Sequence, residues 1–197
     1  MMPSAPATVA LVAAITAAST FILLSGWVEP MAVMGGFIPD RFRGLALPPE
    51  LGFAVPAWAT PLSATLVHGG PGHLLLNIAV LGFCGAQVEW NVGWRGLLTL
   101  YAAGAYAAAG TEWLLTGGAL IGASGAISAP VGAFAMLFGR RATGGLARAG
   151  MLAVGWITIQ LLIGAIQTGG APIAVGAHIG GFLAGLALAG PLRRRRV

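Results

Sequence analysis

Apolar runs, each near the length of a bilayer-spanning helix, follow one another along this chain with little polar sequence between them. They lie at about 8–26, 73–88, 96–115, 120–139, 149–167 and 171–192. A spanning helix needs about 20 predominantly apolar residues, so six such runs use up most of a 197-residue chain. With 57% hydrophobic and 8% charged residues and a mean hydropathy of +0.88, a water-soluble domain is excluded. The expectation is an all-α polytopic membrane protein, a bundle of six transmembrane helices forming one domain over 1–197.

The basic residues are all arginines, and their placement orients the bundle. Arg95 lies between runs two and three, Arg140, Arg141 and Arg148 between four and five, and Arg193 to Arg196 follow run six. These eight fall on one side of a six-span bundle, whereas the other side holds only Arg41 and Arg43. The positive-inside rule then puts both termini in the cytoplasm, with the basic tail 193–197 as an anchor at the lipid headgroups. The expected location is a bacterial inner membrane. The net charge of +5 is explained by topology, and no nucleic-acid partner is expected. No basic residue precedes the first run, so it reads as a retained span rather than a signal peptide. The single cysteine, Cys84, sits in an apolar run and reads as a small buried hydrophobe.

Between the first two runs lies a long connection, about 27–59, on the outer side. Five prolines, from Pro30 to Pro56, prevent one continuous helix, and charged residues alternate with Trp27, Phe37, Phe42, Phe53 and Trp58. Short helical pieces at the membrane interface and an ordinary exterior loop both fit this pattern.

Polar groups inside spans are costly and are functional candidates by default. The stretch Gly122-Ala123-Ser124-Gly125 opens run four, and Ala177-His178 opens run six. The same topology puts His73, Ser124 and His178 in one leaflet. Gly122, Gly125 and Gly132 in run four, with Gly176, Gly180, Gly181 and Gly185 in run six, strip bulk from helix faces and let backbones approach closely. Close approach brings a short serine within reach of an imidazole. A hydroxyl is a poor nucleophile until a base takes its proton, which neutral histidine suits. Asp40 lies in the first connection and the glutamates lie elsewhere, so a Ser124–His178 dyad is expected, with His178 oriented by packing or by a non-acidic partner. His73 and Asn77, four residues apart, share a helix face. With the backbone amide of Ser124 they are candidate donors to an oxyanion. Metal binding by His68 and His73 lacks a third ligand at suitable spacing.

Taken together, Gly122-Ala123-Ser124-Gly125, Ala177-His178 followed by Gly181 and Gly185, the spacing of His68, His73 and Asn77, and Glu89 and Gly93 resemble the rhomboid family of intramembrane serine proteases. The resemblance runs from about Trp58 to the end of the chain. It implies a six-helix bundle in which Ser124 attacks a peptide bond with His178 as base, while His73, Asn77 and the Ser124 amide hold the oxyanion. It implies a structural hydrogen-bonding role for His68, transmembrane proteins in the bilayer as substrates, and no metal or cofactor. Two positions depart from the family's pattern: Ser128 stands where an aromatic residue often packs against the catalytic histidine, and Trp58 is followed by Ala59 rather than arginine. The alternative is a catalytically silent relative that binds membrane clients. A channel or transporter would carry more polar residues along several spans than Gln160 and Gln167 in run five.

Overall fold

The computed structural model describes residues 4–139, 145–166 and 174–194. Arg140, Arg141, Arg195 and Arg196, which carry part of the orientation argument, lie outside the described residues. In chain order the helices are α1 (Pro6–Leu24), α2 (Val28–Gly35), α3 (Thr60–Ser63), α4 (Pro71–Val80), α5 (Ala86–Leu115), α6 (Ser124–Gly139), α7 (Gly145–Ile166) and α8 (Val175–Ala189). Among the described residues there is no strand, only an isolated bridge between Phe37 and Leu120. The protein is an all-α bundle.

Among the described residues two stretches, Pro6–Leu24 and Pro71–Leu115, are long and apolar enough to cross a membrane, and α6 and α8 are shorter apolar helices. The second stretch is not one straight helix: two helices meet at a kink at Gly93, inside the expected connection between runs two and three. A π-helical turn, Leu81–Gly85, joins α4 to α5, and helical backbone runs through 89–95 except at Gly93, with φ 78° and ψ 171°. Glycine tolerates that left-handed φ at little cost. The opened space is filled by the Arg194 side chain, while the Arg194 amide donates to the Asn91 carbonyl at 3.0 Å.

The first connection is built of short helical pieces. Beyond α2, 3-10 turns occupy Pro39–Arg43, Pro49–Leu51 and Ala57–Ala59, as the prolines demand. Arg41 holds the loop together by donating to the Met34 and Val55 carbonyls. Trp27, Phe53 and Trp58 remain exposed. Reciprocal bonds between Phe37 and Leu120, at 3.0 and 2.8 Å, tie this loop to the segment that leads into α6.

The core is the contact of α8 with α5 and α6. A side chain on Gly181 would strike the Gly125 carbonyl, one on Gly185 the Ala129 carbonyl, and one on Gly132 of α6 the Phe182 carbonyl. The small residues read as an approach surface therefore do bring two backbones together. Pro130 inside α6 has no N–H for the Ala126 carbonyl, and Gly104 of α5 packs there, where a Cβ would lie 2.6 Å from that oxygen.

Candidate active site

Ser124 is the first residue of α6, and the helix's first bond runs from the Ile127 amide to the Ala123 carbonyl at 2.9 Å. The Ser124 N–H is thus one of the early amides that no carbonyl of its own helix can reach. Before it, Gly122 takes φ 101° and donates to the Ala64 carbonyl at 2.9 Å. This turn stops the preceding segment abruptly and places Ser124 at a cavity wall. His178 lies in the first turn of α8, and its Nε2 stands 2.8 Å from the Ser124 Oγ. Nucleophile and base candidates, 54 residues apart, are therefore within hydrogen-bond distance.

The cavity beside them has a volume of about 840 Å³ and is also lined by His73, Asn77, Gly122, Ser128 and Trp156. His73 and Asn77 project from one face of α4 toward it. One hydrogen of the Asn77 amide is already engaged, donating to the His73 carbonyl at 2.8 Å. Its second hydrogen is the one that can serve an oxyanion.

His68 stands behind this wall and is fully buried. The Ser19 hydroxyl donates to the Leu66 carbonyl at 2.8 Å, which uses its only hydrogen. At the 2.8 Å contact between Ser19 Oγ and His68 Nδ1, the ring must therefore be the donor. That leaves Nε2 as an acceptor for the Ala123 amide at 3.4 Å. Burial, with His73 nearby, pushes His68 down to about 4 and keeps it in this neutral form. His68 thus braces the residue that precedes Ser124.

Ser128 is buried, and its hydroxyl bonds back to the Ser124 carbonyl at 2.8 Å. The aromatic surface in this region comes instead from α7, where Trp156 stacks on Phe182 of α8 with ring centroids 6.1 Å apart. Gly125 and Gly181 meet across the α6–α8 contact and set the spacing on which the Ser124–His178 approach depends.

One expectation needs correction. The glutamates do not all lie away from the site: Glu112, buried near the C-terminal end of α5, accepts the Ala177 amide at 3.0 Å through Oε2, one residue before His178. An acid in an apolar helix with a hydroxyl four residues later at Thr116 was the available signal. Its partner amide, 65 residues away, was not visible locally. Ser19 was missed for the same reason, since a lone serine in a span usually bonds only to its own helix.

The Rhomboid domain family model matches residues 56–195, most of the chain and all of the site just described except Ser19. Comparison with curated proteins gives no match. The family's members are integral membrane proteins, mostly serine proteases that act on transmembrane substrates within the bilayer. A helical bundle that brings Ser124 and His178 together beside His73 and Asn77, with the family match spanning all four, leads to one conclusion: this chain belongs to the rhomboid family.

Proposed function

We propose that the protein is an intramembrane serine protease that hydrolyses peptide bonds of transmembrane substrates with a Ser124–His178 dyad. The observation that carries the reading is the 2.8 Å contact between the two side chains at the wall of a cavity that also receives His73 and Asn77. Neutral His178, with its lone pair on Nε2, takes the proton of Ser124 as Oγ attacks the scissile carbonyl. The Ser124 amide, the second Asn77 hydrogen and the His73 ring are the donors for the oxyanion, each worth about 3–4 kcal/mol where one is removed. His178 then returns the proton to the leaving amine, and the acyl-enzyme is released by water entering from the cavity. The chemistry calls on no metal or cofactor.

The same reading takes the chain as one domain, 1–197, crossing a bacterial inner membrane six times with both termini and the 193–197 tail in the cytoplasm. The 27–59 connection then lies at the outer face, where the exposed Phe53 and Trp58 suit the headgroup region. The second reading, a silent relative that binds clients, is favoured by Ser128, which puts no aromatic ring where the family often has one.

The test is cleavage of a single-span substrate by purified protein in liposomes. The native chain cuts, and Ser124→Ala and His178→Ala each lose at least about 1,000-fold with the fold retained. Binding without cleavage across several substrates would transfer the conclusion to the silent relative.

A further inference from the structure

Two carboxylates are buried in the bundle, and each caps a helix other than its own. Glu89 receives the Ala7 and Thr8 amides at 3.0 and 2.8 Å and so closes the start of α1. Glu112 does the same at the start of α8. The residue before α8, Ala174, has no side-chain oxygen with which to cap. The Ala177 amide is instead taken by Glu112 Oε2 at 3.0 Å, while Thr116 Oγ1 donates to Oε1 at 2.6 Å. Gly176 makes room for this, since a Cβ there would lie 2.7 Å from Oε2. One turn on, any side chain on Gly180 would run into Thr111 and the Ala107 carbonyl of α5. The α5–α8 contact is thus closed by glycine at two successive turns, and the carboxylate fills the end of it.

His178 is the residue after Ala177, with its amide bonded to the Ala174 carbonyl at 3.3 Å. When its ring takes the Ser124 proton, a cation forms at the positive end of the α8 dipole, where a cation is disfavoured. A carboxylate at that same helix end opposes the effect and holds the first turn in register. We propose that Glu112 is the positioning residue for His178, an acidic third member that acts through the α8 backbone rather than through the ring. This rests on the dyad reading. The other titratable group at the cavity is His73 from α4; α6 contributes Ser124, and α7 contributes Trp156, which carries no charge.

Glu112→Gln keeps an acceptor for the Ala177 amide and removes the charge, and Thr116→Val removes only the hydroxyl that holds Oε1. Glu89→Gln is the control, a buried cap at the start of a different helix. The chain has three histidines, so 15N-histidine spectra in micelles resolve the His178 ring alongside kinetics on a model substrate. The expected result is that Glu112→Gln displaces the His178 ring signals and lowers kcat about 10- to 100-fold with KM unchanged, and that Thr116→Val shifts both in the same sense by less. Glu89→Gln lowers thermal stability without moving the His178 ring. Unmoved His178 signals in Glu112→Gln, or a kcat loss matched by Glu89→Gln at equal destabilisation, overturns the proposal. A displaced ring in a native chain that cuts no substrate supports the positioning role and counts against the protease reading. Cleavage that survives Glu112→Gln unchanged does the reverse.

Discussion

The ring of His73 occupies the space that a side chain on Gly122 would need: a Cβ there would lie 2.6 Å from the His73 Cε1 and 2.9 Å from Nε2. Gly122 also holds φ 101°, a conformation that costs other residues about 1–3 kcal/mol. Gly122→Ala therefore displaces both the candidate oxyanion histidine and the turn before Ser124. The expected outcome is loss of kcat by about 100-fold, larger than the loss of thermal stability explains, measured by cleavage and thermal melting of the same preparation.

The Ser19–His68–Ala123 relay links α1 to the residue before the nucleophile candidate. Ser19→Ala leaves the buried His68 Nδ1–H without its acceptor, at a cost of about 1–3 kcal/mol. Ser19→Cys, which is nearly isosteric but a weak acceptor, should recover little of it. Denaturation in mixed micelles measures the stability. A Ser19→Ala protein as stable as the native chain would show that the relay carries no energy.

Acid should destabilise the fold through His68. Its value falls from 6.5 to about 4 in the folded chain, so between those values the unfolded chain binds more protons than the folded one. The contribution is complete above pH 6.5 and is lost as pH falls toward 4. Melting temperature followed across this window should decline for the native chain and decline less for His68→Gln. Parallel curves would place the acid sensitivity elsewhere.

Ser128 lies in close packing, where a Cβ on Gly181 would stand only 3.1 Å from its own Cβ. Restoring an aromatic ring by Ser128→Tyr overpacks the α6–α8 contact, which costs about 1–3 kcal/mol or more. Ser128→Tyr is expected to melt lower and to cleave no faster, whereas Ser128→Ala is close to native in both. A faster Ser128→Tyr enzyme would show that the missing ring limits activity.

Much of the fold was legible locally. Helix positions followed from runs of apolar residues, and the broken first connection from its prolines, because both depend on contiguous sequence. The partners at the break between runs two and three were not. The charged and polar residues at 89–95 read as a connection and the helix does break at Gly93, but that Glu89 accepts the α1 amides and that Arg194 covers Gly93 could not be read locally. Those partners lie about as far away in sequence as the chain permits.

The sequence by itself determined the apolar helices, their glycine-lined faces and the residue types of the site. Hydropathy, side-chain size and acid–base character belong to single residues and their near neighbours. Only the tertiary structure decided which glycines face α5 and which face α6, how the Ser19 proton sets the tautomer of His68, and that the carboxylate of Glu112 ends at the Ala177 amide. Those outcomes depend on two helices distant in sequence closing to backbone contact, where a displacement of one carbon atom separates a hydrogen bond from a clash.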